Sequence, residues 1–230
     1  PITDEVMDLC TVAPKEKKLP TVFISGSSAA HHFSPVFEEL RNKFGIGVSM
    51  LTTTACDLDP LFYIKNTQGT CISSNKNRIS YIKNHAKEGD ILFTGVSASA
   101  KFDEFFAGSL EKIAKIAQNK KINVVYFTPI PRWNRLKPSI NSLCIKQPED
   151  DWFRPNRKKD CLLYSQIDRT IYEKKESHVL DILKKIEISF PNFYVFPIHE
   201  FLCDDSKCPS HINGNRLYRD NSVHLSISAA

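Results

Sequence analysis

The chain has 230 residues, 41% of them hydrophobic and 25% charged, which is enough for one large globular domain with a substantial core. The net charge of +5 comes from lysines and arginines spread along the chain, so it indicates a solvated basic surface rather than a nucleic-acid footprint. No apolar run approaches the ~20 residues of a membrane span, and no signal peptide is visible. Because the chain starts at Pro1 without a methionine, we expect it to be a piece of a longer protein.

Strands and helices are predicted to alternate from residue 21 onward. Residues 1–20 are polar and indicate a linker or lead-in. Short apolar or β-branched runs predict five strands, over residues 21–25, 48–55, 90–96, 123–128 and 193–196. Apolar residues at helical spacing predict helices over residues 35–44, over 102–119 and from a cap at Ser165 to about Glu187, and a polar, weakly periodic segment predicts a further helix over residues 71–87.

This order predicts a central, mainly parallel five-stranded sheet with helices on both faces, in one domain over residues 21–230. A long loop over residues 132–162 precedes the last predicted strand and helix. It contains Trp133 and Trp152, which can stack on sugar rings or anchor the loop. A final helix is expected to start after His224.

The seven cysteines bracket short loops. We interpret them as three loop-closing disulfides and one odd thiol, which indicates an oxidising compartment; the scattered free thiols of a cytosolic protein are the alternative. The pairs are Cys56 with Cys71, Cys144 with Cys161 and Cys203 with Cys208, and Cys10 is left over. Their spacing does not fit a zinc site, and the short acidic cluster of Asp57 and Asp59 is poor evidence for a metal. We therefore expect no metal and no cofactor.

The stretch at residues 21–34, TVFISGSSAAHHFS, predicts a strand, a sharp turn and a helix start. Gly26 permits the backbone conformation that such a turn needs. In a parallel sheet the site lies outside the carboxyl ends of the strands. The Ser28 hydroxyl is therefore expected at that edge, near backbone N–H groups that can stabilise an oxyanion. A plain β–α turn is the alternative.

The tail at residues 217–226, LYRDNSVHLS, carries a carboxylate and an imidazole in one short loop. His224 can take the proton from Ser28, while Asp220 holds the imidazole tautomer and stabilises the imidazolium. An aspartate and a histidine in an ordinary surface loop are the alternative.

These two blocks resemble a known family. The segment GSSAAHHF is similar to the GDSHAAH block of SGNH (GDSL-type) hydrolases, and LYRDNSVHLS is similar to their final block. More narrowly, the chain resembles the SGNH domains fused to membrane-embedded acyltransferase-3 proteins. The features behind that match are LTTTAC after the second strand, the later Cys71, FTPIPRWN before Cys144, and FLCDDSKC before LYRD. The resemblance covers residues 20–230.

The resemblance implies a three-layer α/β/α fold that acts on acyl esters of carbohydrate. The parent's membrane domain would pass an acyl group, usually acetyl, across the membrane, and this domain would help to place it on a sugar hydroxyl of an outer glycan such as lipopolysaccharide. Ser28 carries over as the nucleophile, His224 as the base and Asp220 as the orienting acid. The implied partners are the acyl donor from that membrane domain and the glycan acceptor, at an extracytoplasmic site tethered through the parent.

The chain departs from the family's usual pattern at both blocks. Ser27 stands where the family usually has Asp, and Ala29 where it usually has His. Asp220 lies four residues before His224, where the family usually has three, and Asn221 holds the usual place. We prefer Asp220 as the orienting residue, with Asn221 as the alternative.

The residues expected to donate hydrogen bonds to the oxyanion also depart from the family's usual pattern. The first would be the backbone N–H of Ser28. Ala55 replaces the usual glycine of the second block, and its N–H can still donate. Ser97 replaces the usual asparagine of the third block with a shorter hydroxyl, and the loss of one such donor can cost on the order of 10²–10³ in rate.

Three functions follow, of which we prefer an extracytoplasmic carbohydrate O-acyltransferase domain. A free-standing carbohydrate acetyl esterase is the second. A degenerate domain that only binds glycan or docks on a membrane partner is the third, and the departures at Ser27, Ala29 and Ser97 keep it open. We interpret His31 and His32 as helix-start residues. The histidines interpreted as structural or exposed are His85, His178, His199 and His211.

Overall fold

A computed structural model describes residues 3–60, 70–95, 104–131, 166–209, 211–212, 215–217 and 225. The strands in this part of the chain are β1 Thr11–Val12, β2 Thr21–Gly26, β3 Gly47–Thr52, β4 Ile91–Gly95, β5 Asn123–Phe127, β6 Gln166–Asp168, β7 Phe193–Phe196, β8 Lys207–Pro209, β9 His211–Ile212 and β10 Asn215–Arg216. The helices are α1 Asp4–Leu9, α2 Ser28–His31, α3 Ser34–Phe44, α4 Thr70–His85, α5 Glu104–Lys120, α6 Arg169–Ser189 and α7 Ile198–Leu202. Among the described residues, no helix has the length and apolar character needed to cross a membrane.

The central sheet has six strands in the order β1-β3-β2-β4-β5-β7. Five of them run parallel, which confirms the predicted sheet; they are β3, β2, β4, β5 and β7. The sixth strand, β1, pairs antiparallel with β3 at the edge, with Thr11 opposite Ser49. It was not predicted because two residues are too few to show an alternating pattern.

Two apolar clusters cover the two faces of this sheet, because successive side chains of a strand point to opposite faces. In β2, Phe23 belongs to one cluster and Val22 and Ile24 to the other. Helices α1, α4, α5 and α6 supply the first cluster, and α2, α3 and α7 supply the second. The molecule is therefore the three-layer α/β/α sandwich that the resemblance implied.

The predicted lead-in contains folded structure. Met7 of α1 is 1% exposed and belongs to the first cluster. The hydroxyl of Thr11 in β1 donates to the Met7 carbonyl at 2.8 Å and lies 2.7 Å from the Ser49 Oγ. The prediction of a linker thus missed a helix and a strand within residues 4–12, while the division of the chain at residue 20 stays a prediction.

Two predicted boundaries differ from the structure because local hydrogen bonds end the element. Strand β3 stops at Thr52 rather than residue 55, since the Cys56 N–H donates to the Thr53 carbonyl at 3.1 Å and closes a turn. Helix α6 is capped by Asp168 rather than Ser165. The Asp168 carboxylate accepts from the Thr170 N–H at 2.9 Å, as a cap requires.

Candidate active site

The predicted nucleophile lies in a sharp turn at the end of β2. Gly26 has φ +153°, and a Cβ there would come within 3.0 Å of the Ala30 Cβ, so both the conformation and the close approach require glycine. Ser28 is the first residue of α2. Ser27 caps this helix, since its Oγ accepts from the Ala29 N–H at 3.4 Å. Serine and aspartate are comparable N-caps, so the departure at Ser27 is compatible with the turn.

The helix that starts at Ser28 is short. Helix α2 has four residues, and a separate helix, α3, begins at Ser34. Because so few peptide dipoles are aligned in α2, an oxyanion here would depend on individual N–H groups rather than on a helix macrodipole.

The second predicted oxyanion element, Ala55, lies in the turn that follows β3. Because β2 and β3 are parallel neighbours with Gly26 opposite Thr52, this turn lies beside the turn at residues 26–28, at one edge of the sheet. We call the turn at residues 26–28 the nucleophile turn, after the role predicted for Ser28. The Thr53 N–H donates to the Gly26 carbonyl at 2.9 Å and joins the two. Ala55 has φ 58°, a left-handed conformation that fits the glycine usual at this place.

A buried arginine that the sequence analysis missed joins the two turns. Arg78 of α4 is 0% exposed. Its Nη1 donates to the carbonyls of Gly26 at 2.8 Å and Leu51 at 3.3 Å. Its Nη2 donates to the carbonyls of Cys56 at 3.1 Å and Asp57 at 3.4 Å. An arginine in a polar, weakly periodic helix ordinarily indicates a solvated face, so the sequence carried no signal for this role.

The charge of Arg78 is retained despite its burial. Burial lowers the pKa of Arg78 to about 10, and the nearby Asp57 carboxylate opposes that shift. The guanidinium is therefore positively charged at neutral pH. Backbone carbonyls from three segments of the chain accept the hydrogen bonds that water would otherwise accept from this cation.

A network of buried polar side chains extends from Arg78 to α5. Asn75 Oδ1 accepts from Arg78 Nη2 at 2.6 Å and from the Asp59 N–H at 3.2 Å. Ser109 of α5 donates its hydroxyl to the Asp59 carboxylate. All four side chains are buried. The loop after β3, which contains Ala55, is thus hydrogen-bonded to both α4 and α5.

The tail block is described only at its two ends. Leu217 is 5% exposed and Leu225 is 4% exposed. Both belong to the apolar cluster that contains Ala29 and Ala30 of α2. Several predicted site residues lie outside the described residues, namely Ser97, Asp220, Asn221 and His224. Trp133 and Trp152 also lie outside them.

The sequence matches, over residues 2–230, the family described as the SGNH domain (fused to AT3 domains). The chain belongs to this family. No curated protein sequence matches it. A solved structure that resembles this SGNH domain is the Salmonella ser. Paratyphi A lipopolysaccharide acetyltransferase periplasmic domain, with 17% identity and a TM-score of 0.62. The match covers 93% of this chain and 80% of that one, and at this identity it shows the fold alone.

The SGNH domain forms two of its three predicted disulfides within the described residues. Cys56 is bonded to Cys71, which ties the Ala55 turn to the start of α4. Cys203 is bonded to Cys208. Cys10 is free, as predicted, and its side chain is exposed. The third predicted pair, Cys144 with Cys161, lies outside the described residues.

Two of the described histidines, His31 and His199, differ in their surroundings. His31 is exposed on α2, and its Nδ1 lies 3.0 Å from the Thr52 hydroxyl. His199 is buried beside Thr128, and burial lowers its pKa, which favours the neutral ring. In the described ranges no group of three or more His, Cys, Asp or Glu side chains is placed to hold a metal ion.

Proposed function

We propose that this SGNH domain is the extracytoplasmic part of a carbohydrate O-acyltransferase, and that Ser28 accepts an acyl group, most simply acetyl, and passes it to a sugar hydroxyl. Membership of a family fused to AT3 domains supports a membrane acyltransferase domain as the source of the acyl donor. The Salmonella domain of like fold belongs to a lipopolysaccharide acetyltransferase, which supports a surface glycan such as lipopolysaccharide O-antigen as the acceptor.

The observation that carries this proposal is the packing of the tail. Leu225 is adjacent in sequence to His224, while Ala29 is adjacent to Ser28. Leu225 and Ala29 belong to one apolar cluster, and Leu217 brings the other end of the tail block to the same cluster. This arrangement supports a base from the tail close to the nucleophile turn.

The proposed reaction has two steps. First, His224 takes the proton from the Ser28 hydroxyl as Oγ attacks the acyl carbonyl; the bond to the leaving group breaks, and that group receives the proton from His224. Second, a sugar hydroxyl gives its proton to His224 as it attacks the carbonyl of the acyl-serine; the bond between the acyl group and Ser28 Oγ breaks, Oγ receives the proton from His224, and the acyl group stays on the sugar. Asp220 orients the imidazole throughout. The N–H groups of Ser28 and Ala55, with Ser97 as a third donor, bind the oxyanion.

The proposed location is the periplasm or cell surface, with the domain tethered through its parent protein. The two disulfides support this location, because disulfides persist mainly in oxidising compartments. The Salmonella domain of like fold is periplasmic. We propose no nucleic-acid partner, and no step of the reaction uses a cofactor.

The proposal is tested by labelling the 230-residue chain with a fluorophosphonate and by assaying hydrolysis of a chromogenic acetyl ester. Ser28→Ala and His224→Ala are expected to lose both signals about equally, because a nucleophile and its base act as one unit. Asp220→Asn is expected to lose less than either, and more than Asn221→Ala.

The matched control is Ser177→Ala, which removes an exposed serine of α6 and should leave both signals unchanged. Labelling of Ser28→Ala at the rate of the unaltered chain would remove Ser28 as the nucleophile. A larger loss in Asn221→Ala than in Asp220→Asn would transfer the orienting role to Asn221.

A further inference from the structure

We propose that Arg78 is a positioning residue that sets the spacing between the two candidate oxyanion donors, the backbone N–H groups of Ser28 and Ala55. This inference rests on the proposed function, since it explains how the two N–H groups of the proposed oxyanion site are held at a fixed distance. Arg78 itself touches neither substrate nor the reacting atoms.

The contacts of the guanidinium place it between the two donors. On one side, Nη1 donates at 2.8 Å to the Gly26 carbonyl, two residues before the Ser28 N–H. On the other side, Nη2 donates at 3.1 Å to the Cys56 carbonyl, one residue after Ala55. One planar group therefore holds both turns, and the fixed separation of its two nitrogens fixes the separation of the carbonyls.

The arginine is itself held from behind. Asn75, one helical turn earlier on α4, accepts from Nη2 at 2.6 Å. The Cys56–Cys71 disulfide ties the same loop to the start of the same helix. With these restraints, a change at Arg78 should loosen the two turns without unfolding α4.

Lysine cannot replace this arrangement. An ammonium carries all three of its N–H donors on one nitrogen, so it lacks the two nitrogens at fixed separation that bind the Gly26 and Cys56 carbonyls in the native chain. Arg78→Lys keeps the charge and loses the bridge, whereas Arg78→Met loses both and keeps an apolar stem. The comparison of the two variants separates geometry from charge.

An oxyanion donor acts on the transition state more strongly than on the ground state. Misplacing the turns should therefore lower kcat and leave KM nearly unchanged. A displacement of about 1 Å in such a site can cost about 100-fold in rate. We expect Arg78→Met to lower kcat by ~10- to 100-fold and Arg78→Lys by a smaller factor, with KM within about twofold in both.

The experiment measures kcat and KM for hydrolysis of the chromogenic acetyl ester, together with the fluorophosphonate labelling rate and Tm. It compares Arg78→Met, Arg78→Lys and Leu183→Ala. Leu183 is fully buried in α6 and far in sequence from both turns, so its truncation destabilises the fold through a cavity. We expect Leu183→Ala to lower Tm as much as Arg78→Met yet to keep kcat per folded molecule. Equal kcat for these two variants, or a loss confined to KM, would overturn the positioning role.

Hydrogen exchange of the amides in residues 26–33 and 53–60 gives a second readout that does not depend on activity. Faster exchange in these two segments in both Arg78 variants, with α5 and α6 unchanged, is expected from a local restraint. If Ser28→Ala proves irrelevant to hydrolysis while this local exchange pattern is present, the proposed function fails and the restraint stands. Unchanged exchange in both segments would show that Arg78 holds neither turn.

Discussion

Ala55 and Lys121 share an unusual backbone conformation. Among the described non-glycine residues, these two have positive φ, 58° and 55°. A left-handed conformation costs a residue with a Cβ roughly 1–2 kcal/mol. At Lys121 the strained residue lies in the turn that joins α5 to β5. At Ala55 it lies in the turn that carries a candidate oxyanion donor, so the two positions form a matched pair.

Replacing either residue with glycine is expected to raise the free energy of unfolding by about 0.5–1 kcal/mol, because relief of strain exceeds the added entropy of the unfolded chain. Urea unfolding measures this gain in Ala55→Gly and Lys121→Gly. Only Ala55→Gly is expected to alter the labelling rate of Ser28. If Lys121→Gly altered that rate equally, the effect would belong to global stability and not to the site.

At the scale of structural elements, two disulfides close loops that follow β3 and α7. The Cys56–Cys71 bond joins residues 15 apart and anchors the Ala55 turn, while Cys203–Cys208 joins residues 5 apart between α7 and β8. In the chain-entropy treatment, stabilisation grows with the length of the closed loop. The longer loop should therefore contribute more to stability, and only that loop lies in the candidate site.

Replacing Cys56 and Cys71 by alanine is expected to lower the free energy of unfolding by about 3 kcal/mol, against about 2 kcal/mol for the Cys203 and Cys208 pair. Urea midpoints under non-reducing conditions measure both. Peptide mapping without reductant is expected to find Cys10 alkylated and the other six cysteines protected, including Cys144 and Cys161. Alkylation of those six thiols would refute the pairing.

Helix α6 begins at a carboxylate cap that responds to pH. The hydrogen bonds from the Thr170 hydroxyl, at 2.6 Å, and from its N–H, at 2.9 Å, lower the pKa of Asp168 below its ordinary value of 3.8. Because the folded pKa is the lower one, the stabilisation is present above the unfolded value and is lost as pH falls through the folded value.

Asp168→Asn is expected to keep the cap and remove this dependence on pH, since asparagine is a comparable N-cap without a titrating group. Urea midpoints measured from pH 5 to pH 2 should fall less steeply for Asp168→Asn than for the unaltered chain. Asp181→Asn, in the middle of α6, is the control for removing one carboxylate. Identical slopes for all three proteins would exclude the cap as an acid-labile element.

At the scale of the whole molecule, the parallel sheet brings distant segments to one edge. The turn that carries Ser28 and the turn after β3 lie side by side at the ends of β2 and β3, and Leu225 of the tail belongs to the same apolar cluster as Ala29. This is the edge at which open α/β sheets place their sites, because neighbouring connections there leave a crevice. The long loop predicted over residues 132–162 lies outside the described residues, and we expect it to cover that edge.

The purified chain is expected to hydrolyse a chromogenic acetyl ester slowly and only with Ser28 present. The physical reasons are the expected replacement of an asparagine donor by Ser97, and a covering loop that would exclude water from a transferase. Glycan acetylation is expected only when the membrane portion of the parent is supplied. The measurement compares ester hydrolysis and transfer to a saccharide acceptor, with and without that portion.

Fast hydrolysis of an acetylated polysaccharide, near ~10 s⁻¹, would instead support the esterase function. Glycan acetylation that is lost on deleting the domain but kept in Ser28→Ala would support the non-catalytic binding domain. Both outcomes contradict the transferase mechanism proposed for Ser28.

The sequence by itself determined the elements whose signal is local. The five parallel strands followed from short apolar runs, the turn between β2 and α2 followed from Gly26 before Ser28, and the two described disulfides followed from cysteines that bracket short loops. In each case the residues that decide the structure lie within about 15 positions of one another. Periodicity and turn chemistry act over that range, so a single sequence contains them.

Only the tertiary structure decided the features that depend on partners far along the chain. Arg78 is buried because its acceptors include the Gly26 carbonyl, 52 residues away, and nothing in α4 itself distinguishes it from a solvated arginine. Strand β1 exists because β3 offers it an edge, and α1 is held because Met7 fits a core built from later helices. These pairings become favourable only once the sheet has assembled, because a buried cation or a two-residue strand is unfavourable in the isolated segment.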